Sequence, residues 1–175
     1  MDEKEPVSGD TPATWAAEGV IDGWRDFADR VCAAMAWGAA QAVDMCWSDA
    51  DFRHWPLGDR AVVSALQHWA LTHSGRRVTV LVSDPDAMPR QHPRWMLWRR
   101  DWGHRVAVFQ ADEAHRADVP TVLLLGQNLG LRMLEPLRGR GVWSRDPVML
   151  QRWRDEIDVI LQRSHPALPV TTLGL

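Results

Sequence analysis

Pairs of aspartates follow two apolar segments of the chain, Asp49 and Asp51 after the first and Asp84 and Asp86 after the second. In open α/β sheets, ligands bind beyond the carboxyl ends of the strands. Carboxylates that converge at such an edge can hold Mg²⁺ or act as acid and base. His54 lies in the loop after Asp51, where a catalytic group would stand. Asp49, Asp51, His54 and Asp84 are therefore the candidate catalytic residues.

A structural interpretation of the same aspartates stays open. An Asp-x-Asp sequence after a strand is similar to the motif of haloacid dehalogenase-like phosphatases, but Arg53 stands where those enzymes have Thr or Val. The chain has a single lysine, Lys4, so it offers no lysine in the folded part to anchor phosphate. Aspartate is also a common turn and helix-cap residue, and that role alone accounts for its position after a strand.

Arginines and tryptophans alternate between residues 94 and 102. Arg94, Arg99 and Arg100 are candidate ligand-binding residues, because guanidinium groups and indole rings together bind phosphate or stack on single-stranded nucleic acid. Tryptophans at helical spacing equally indicate a core stripe, with the arginines on the solvent side. Residues 90–116 hold six arginines against three carboxylates, which is a modest excess of positive charge.

No metal or cofactor is expected from the remaining chemistry-bearing residues. The seven histidines show no metal-ligand spacing, and Cys32 and Cys46 are expected to be buried free thiols. Lys4 lies in an acidic segment, so lysine-dependent mechanisms are excluded from the folded part. The 19 arginines cannot replace lysine as a base or Schiff-base former, because the guanidinium group keeps its proton.

The hydrophobic periodicity predicts alternating helices and strands that position these residues. Residues 1–14 are expected to form a disordered acidic tail, residues 15–166 a single domain and residues 167–175 a C-terminal tail. Two βαβ crossovers followed by a hairpin imply an α/β fold, a mixed sheet with helices on both faces. The predicted elements are a helix from Asp22 to Gly38, a strand Ala42–Trp47, a helix from Asp59 to Gly75, a strand Val78–Val82, a helix Pro93–Trp102, a strand Arg105–Gln110, a hairpin of Thr121–Leu125 and Leu131–Leu134, a short strand near Val142, and a helix from Asp146 that stops at Ser164 to Pro166.

This order of elements resembles one half of the phospholipase D-like fold. Three segments also resemble an uncharacterised proteobacterial domain family of this type: residues 49–57, 78–82 and 93–102. The resemblance covers about residues 23–166 and implies the fold of the superfamily.

The same resemblance bears on activity. Active members of the superfamily carry His-x-Lys on the hairpin, followed four residues later by Asp, with histidine as nucleophile and lysine neutralising the phosphate. Laid on this hairpin, the pattern falls at about Pro120, Val122 and Gln127, and His-x-Lys is absent from the whole sequence. The resemblance therefore implies a catalytically degenerate phospholipase D-like domain rather than an enzyme.

The sequence thus favours a non-catalytic domain with a binding or regulatory role, acting through self-association or a partner protein. The parent fold buries the equivalent face against a second half, which implies a homodimer or a partner that covers it. The alternative is a phosphoester-directed hydrolase or phosphate-binding protein that uses the strand-end aspartates with His54 and Arg94.

Charge and hydropathy set the expected surroundings. Residues 1–18 carry five carboxylates against Lys4, a net charge of −4, so the rest of the chain is near neutral within a total of −3. That balance makes nucleic acid an unexpected partner. No apolar run approaches the roughly 18 residues of a membrane span, and the acidic start is unlike a secretory signal. A cytoplasmic protein without membrane contact is expected.

Overall fold

The computed structural model describes residues 15–170. The predicted acidic tail of residues 1–14 and residues 171–175 of the predicted C-terminal tail lie outside the described residues. The helices and strands, in chain order, are β1 (Glu18–Asp22), α1 (Trp24–Ala39), β2 (Met45–Asp49), α2 (Arg60–Thr72), β3 (Val78–Val82), α3 (Met88–Gln91), α4 (Pro93–Asp101), β4 (Val106–Ala111), β5 (Val122–Leu125), β6 (Leu129–Glu135), β7 (Arg140–Ser144), α5 (Pro147–Leu161) and β8 (Ser164–Pro166).

The eight strands form one mixed sheet in the order β1-β7-β6-β5-β2-β3-β4-β8. Strands β2, β3 and β4 are parallel, and helices α2 and α4 lie on the connections between them. Strand β2 also pairs with β5 in the antiparallel direction, so it joins the parallel half of the sheet to the antiparallel half. Strands β5, β6, β7 and β1 then continue the antiparallel half to its edge.

Both faces of the sheet carry a hydrophobic core. Helices α1, α2 and α4 pack on one face, where Trp47 and Trp69 lie fully buried. Helix α5 packs on the other face against Cys46 and Leu81, through a smaller set of residues that includes Trp153 and Ile157. The predicted α/β fold, a mixed sheet with helices on both faces, is confirmed. Within residues 15–170, no helix is both long enough and apolar enough to cross a bilayer.

Strands β1 and β8 and the short helix α3 are not predicted from the sequence. All three have little apolar periodicity of their own; β1 and β8 form by pairing with β7 and β4, and α3 is a single turn closed by its own backbone hydrogen bonds. Several strands also have different bounds. The strand predicted as Leu131–Leu134 runs Leu129–Glu135, because residues 129 and 130 pair with β5 and do not form part of the turn. The strand predicted as Ala42–Trp47 runs Met45–Asp49 instead. Its last two residues were taken for an exit loop because they are polar, but both are buried and hydrogen-bonded.

Residues 167–170 continue past β8 along strand β4. The backbone N–H of Ala167 donates to the carbonyl oxygen of Val108 at 2.9 Å, and Leu168 packs against the larger core. The side chain of Val170 then lies over Gly103, at the end of α4. The described part of the segment predicted as a C-terminal tail therefore packs on the domain.

Strand β1 depends on a close approach between Gly19 and the indole ring of Trp143. A Cβ atom on Gly19 would lie 1.9 Å from Cζ2 of that ring, which no side chain can occupy without displacing the tryptophan. The ring is held from both sides, since the Arg30 guanidinium lies 4.2 Å from its centroid and Trp15 contacts it edge-on. The edge strand is thus fixed by side-chain packing as well as by its ladder with β7.

We expect Gly19→Ala to lower the free energy of unfolding by about 1–3 kcal/mol, because the added methyl group overpacks against Trp143. Urea denaturation of the wild type, Gly19→Ala, Trp143→Ala and the double variant measures the effect. In the Trp143→Ala background, Gly19→Ala should lower the free energy of unfolding by less, since the ring that the methyl group meets is gone. An equal loss of unfolding free energy with and without the Trp143 ring would show that this contact does not fix β1.

Candidate functional site

Asp49, the last residue of β2, is buried and bonded entirely within the protein. Its side chain accepts hydrogen bonds from the backbone N–H groups of Asp51 at 3.1 Å and Phe52 at 2.7 Å, and from the hydroxyl of Thr121. These bonds hold the turn in which Phe52 takes a positive φ of 58°, a conformation that favours glycine or asparagine. Asp49 therefore shapes the loop after β2 and ties it to the start of β5.

Asp51 is engaged by its neighbour Arg53. The guanidinium group lies 2.6 Å from the carboxylate at its closest, and the backbone N–H of Arg53 donates to the same side chain at 3.0 Å. Partial burial acts to raise the pKa of Asp51, but the hydrogen bonds and charge of Arg53 outweigh it and bring that pKa below its ordinary value. Asp51 is thus a stable carboxylate held away from Asp49.

Asp84 is exposed at the carboxyl end of β3. Its side chain accepts from the backbone N–H of Asp86 at 3.0 Å, while its own N–H donates to the carbonyl oxygen of Ala50 at 2.9 Å. The second bond joins the loop after β3 to the loop after β2. No group of three or more potential metal ligands occurs among residues 15–170. The strand-end aspartates therefore share an edge of the sheet without forming a cluster of ligands.

His54 lies flat against an aromatic ring. Its imidazole stacks on the indole of Trp24, with 4.1 Å between the ring centroids and 17° between the planes. The indole N–H of Trp24 donates to the carbonyl oxygen of Pro136 at 3.1 Å, which fixes the ring beneath the histidine. This stack joins the loop after β2 to the start of α1.

Arg94, Arg99 and Arg100 point in different directions from helix α4. Arg94 is exposed and donates to the carbonyl oxygen of Gly58 at 3.0 Å, and Arg100 is exposed near Asp101. Arg99 is only 4 % exposed, and burial lowers its pKa. The structure does not bring the three guanidinium groups together at one surface.

The sequence resemblance places the superfamily's motif at about Pro120, Val122 and Gln127, none of which is a histidine, lysine or aspartate. The carbonyl oxygen of Pro120 accepts a hydrogen bond from the hydroxyl of Ser48 at 2.7 Å, and Val122 is buried beneath α5. Gln127 is exposed in the turn between β5 and β6, at the opposite end of β5 from Pro120. None of these side chains can act as a nucleophile or neutralise a phosphate.

The two cysteines are free thiols, as predicted. Cys46 is buried on the α5 face of the sheet, and burial raises the pKa of its thiol to about 11. Cys32 is only half-buried on α1. The thiol of Cys46 thus stays protonated at neutral pH and packs as a small apolar group.

An apolar groove lies on the α5 face, beside the N-terminal half of α5. We call it the α5-face groove; it has a volume of about 450 Å³ and is lined by strands β1 and β7, the end of β6 and the side of α5. Val20, Leu134 and Met149 are 69 %, 56 % and 37 % exposed there, and Glu18 is the one charged residue in the lining. This exposed apolar concavity is a candidate interaction surface.

Sequence reasoning missed this groove because it missed β1. Glu18–Asp22 has one fully buried residue, Ile21, and both of its ends are acidic, so its alternation is too short to predict a strand. Thr121 was likewise missed as the partner of Asp49, because 72 residues separate the two and a threonine at the start of a strand is unremarkable in sequence. Only the short apolar pair Val20 and Ile21 gives a signal in the sequence.

Comparison with solved structures identifies the fold, whereas comparison of sequences finds no family. No family model matches the chain, and a search of curated proteins finds no significant match. Among solved structures, Nuc from Salmonella typhimurium, a phospholipase D family member, aligns with a TM-score of 0.52 and 10 % identity, over 87 % of this chain and 99 % of Nuc. The chain thus has a phospholipase D-like fold, which confirms that part of the predicted resemblance.

A second solved structure has the same architecture. TrmBL2, an archaeal chromatin protein described as showing a novel mode of DNA binding, aligns with a TM-score of 0.62 and 12 % identity. The alignment covers 87 % of this chain, which spans about half, 54 %, of the TrmBL2 chain. At such identities the likeness concerns the fold alone.

We expect Asp49→Ala to lower the free energy of unfolding by about 3 kcal/mol, because it leaves the buried N–H of Phe52 and the hydroxyl of Thr121 without an acceptor. Asp84→Ala is the matched control and should change stability by no more than about 0.5 kcal/mol, since Asp84 is exposed. Denaturant unfolding measures both. Similar small losses in the two variants would show that Asp49 does not organise this edge.

His92 is buried and bonds through Nε2 to the carbonyl oxygen of Phe52 at 2.9 Å. Burial lowers its pKa below the ordinary 6.5 in the folded protein, although the bond to Phe52 acts in the other direction. Below pH 6.5 the unfolded chain therefore takes up this proton before the folded one. Stability should be complete above that pH and fall as the pH drops toward the folded value.

Unfolding free energies of the wild type and His92→Gln between about pH 5 and 8 test this. The variant should lose less stability on acidification than the wild type, and the same substitution at the exposed His68 is the matched control. An unaltered slope in His92→Gln would refute the assignment.

Proposed function

We propose that this chain is a non-catalytic, phospholipase D-like binding domain that associates with a second copy of itself through the α5-face groove. The groove carries the proposal, because it joins exposed apolar side chains from β1, β6 and α5 in one concave surface of about 450 Å³. A cytoplasmic location and a regulatory role are compatible with such a domain. They extend the proposal and do not support it.

Coverage of the sheet supports the proposal. Eight strands spaced about 4.8 Å apart make a sheet roughly 35 Å wide, whereas one helix is about 10 Å across. Helix α5 packs over β2, β3, β4 and β5 and reaches β6, where Arg132 lies 2.6 Å from Glu156. Within residues 15–170, the α5 side of β1 stays open, with Val20 69 % exposed, and that of β7 is only partly covered. A sheet is stable when its apolar face is buried against another layer. A second molecule supplies that layer.

The shape of the surface favours a second copy of the chain as the occupant. A two-fold interface requires a patch that is complementary to itself. Here Val148, 69 % exposed, projects from the first turn of α5 as an apolar ridge and is the chain neighbour of Met149, which lines the groove. A two-fold axis between them places each ridge in the groove of the other copy. The low charge of the lining makes that contact free of repulsion.

The hydrogen bonds of the strand-end aspartates support the non-catalytic part. Asp49 is saturated by internal donors, Asp51 is paired with Arg53, and Asp84 is held by the adjacent turn. A phosphoester hydrolase built on these groups would need them to converge on one bound phosphate or metal ion. The alternative hydrolase or phosphate-binding function at this edge therefore has less support than binding.

Sedimentation equilibrium of the wild type and of variants in the groove tests the proposal. We expect the wild type to form dimers, and Val20→Glu together with Met149→Glu to weaken the dimer by more than about tenfold, because each charge would be buried in an apolar contact. The matched control is Leu71→Glu with Leu97→Glu, which alters two leucines of similar exposure, 67 % and 57 %, on the opposite face.

Circular dichroism shows that all variants remain folded before association is compared. A wild type that is monomeric at every concentration would overturn the proposal, and so would equal weakening by both double variants. The expected result is that the groove variant alone loses dimer formation.

A further inference from the structure

The amino-terminal edge of the parallel strands holds a concentration of positive charge that the dimer proposal does not use. Arg105, just before β4, is 8 % exposed and donates to the carbonyl oxygens of Ala70 at 2.6 Å and Arg76 at 2.8 Å, and to that of His73. A guanidinium group has five N–H donors, so two remain after these three bonds. Within residues 15–170, Arg105 has no carboxylate within ion-pairing distance.

The rings around Arg105 hold its guanidinium group in a fixed position. Its central carbon lies 4.5 Å from the centroid of the Trp69 ring and 5.6 Å from that of Trp102. The indole N–H of Trp102 is itself bonded to the side-chain oxygen of Gln67 at 3.0 Å, which fixes that ring in turn. A buried cation bonded only to neutral carbonyls keeps its full charge, and burial of such a charge is costly until an anion approaches it.

A cleft of about 300 Å³ opens beside this guanidinium group. Its lining includes Arg76, Arg77, Trp102 and His104. Among residues 15–170, the carboxylate that contacts these arginines is Asp44, which accepts from the backbone N–H of Arg77 at 2.8 Å and lies 3.9 Å from the Arg76 side chain. Three guanidinium groups therefore face one carboxylate, an excess of two positive charges.

Helix α2 ends at this cleft, and its exposed carbonyls would ordinarily repel an anion because a helix C-terminus carries a partial negative charge. Arg105 binds the carbonyl oxygens of Ala70 and His73 and so neutralises that end of the helix. Gly75, with a φ of 81°, then turns the chain so that the residues after it form the rim. The local fold thus converts an anion-repelling helix end into an anion-attracting surface.

We propose that this cleft binds a phosphate monoester of a planar ring compound, with the phosphate on Arg76, Arg77 and Arg105 and the ring against Trp102. A phosphate monoester carries a charge between −1.5 and −2 near pH 7, which matches the excess of two positive charges. Guanidinium groups bind phosphate oxygens in bidentate geometry, and the wall of Trp102 and His104, whose ring centroids are 6.1 Å apart, offers a stacking surface.

This site is separate from the surfaces described above. It lies where β3 and β4 begin, at the opposite edge of the sheet from Asp49 and Asp84, and away from the α5-face groove. It also shares no residue with the candidate set of Arg94, Arg99 and Arg100. Binding in the cleft is therefore independent of whether the chain forms a dimer.

Isothermal titration calorimetry of the full chain at low salt tests the proposal, with inorganic phosphate, adenosine monophosphate, and a single-stranded oligonucleotide with and without a 5′-phosphate as probes. We expect the mononucleotide to bind more tightly than inorganic phosphate, since only the nucleotide also stacks. Arg76→Gln with Arg77→Gln should weaken mononucleotide binding by about tenfold or more. The control Arg94→Gln with Arg100→Gln removes the same charge elsewhere on the surface and should leave binding unchanged.

The nucleic-acid probes separate the sources of the phosphate. If the mononucleotide binds and neither oligonucleotide does, the ligand is a free small molecule. If the oligonucleotide with a 5′-phosphate binds and the one without it does not, the ligand is the end of a strand. Both results support a monoester site. Equal binding of the two oligonucleotides would overturn it in favour of backbone contacts. Absence of binding by any probe, or equal weakening by both double variants, would also overturn it.

Discussion

The hydrogen bonds of one buried carboxylate hold together the two halves of the sheet. Asp49 ends the strand that pairs in parallel with β3 and in antiparallel with β5, and its side chain bonds both to the loop after β2 and to Thr121 at the start of β5. Because a buried carboxylate is stable only when its oxygens are bonded, the loop must take the conformation that supplies the N–H groups. Phe52 and Trp55 are thereby placed in the core.

The loop set by Asp49 fixes its neighbours in turn. The carbonyl oxygen of Phe52 is bonded by His92, and that of Ala50 by the loop after β3, so the connections at this edge are joined to one another. On the opposite face of the strand, the Ser48 hydroxyl bonds Pro120. The edge where the sequence predicts a site of strand-end aspartates is here an internally bonded junction. Surfaces open to partners lie elsewhere, at the α5-face groove and at the cleft around Arg105.

The likeness to Nuc and TrmBL2 is possible at low identity because a fold depends on the pattern of apolar and polar residues more than on particular side chains. Identities of 10 % and 12 % leave few side chains in common, yet the backbones align over 87 % of this chain. Backbone pairing and the burial of apolar faces tolerate extensive substitution as long as the pattern of apolar and polar residues persists. Binding and catalysis depend on individual side chains, which such a likeness does not carry across.

Much of the fold could be predicted from the sequence, because its signals are local. The last helix was placed by Asp146 and Pro147, and the structure has Pro147 as its first residue with the Asp146 side chain accepting from Val148. The parallel strand Val78–Val82 was predicted with its observed bounds, since it is apolar on both faces. The mixed sheet followed from two βαβ units and a hairpin.

What the sequence could not determine depends on partners far apart in the chain. Strand β1 exists because Glu18–Asp22 pairs with β7, more than a hundred residues later, and Gly19 is needed there only because Trp143 lies across it. The strand-end aspartates look alike in sequence, but tertiary structure buries Asp49 against Thr121 and leaves Asp84 exposed. Helical and strand periodicity are written within a few residues, whereas burial and hydrogen-bond partners are decided only when distant segments meet. The sequence by itself therefore determined the order of the elements and the absence of lysine chemistry, and the tertiary structure decided which polar groups are structural and which surfaces are open.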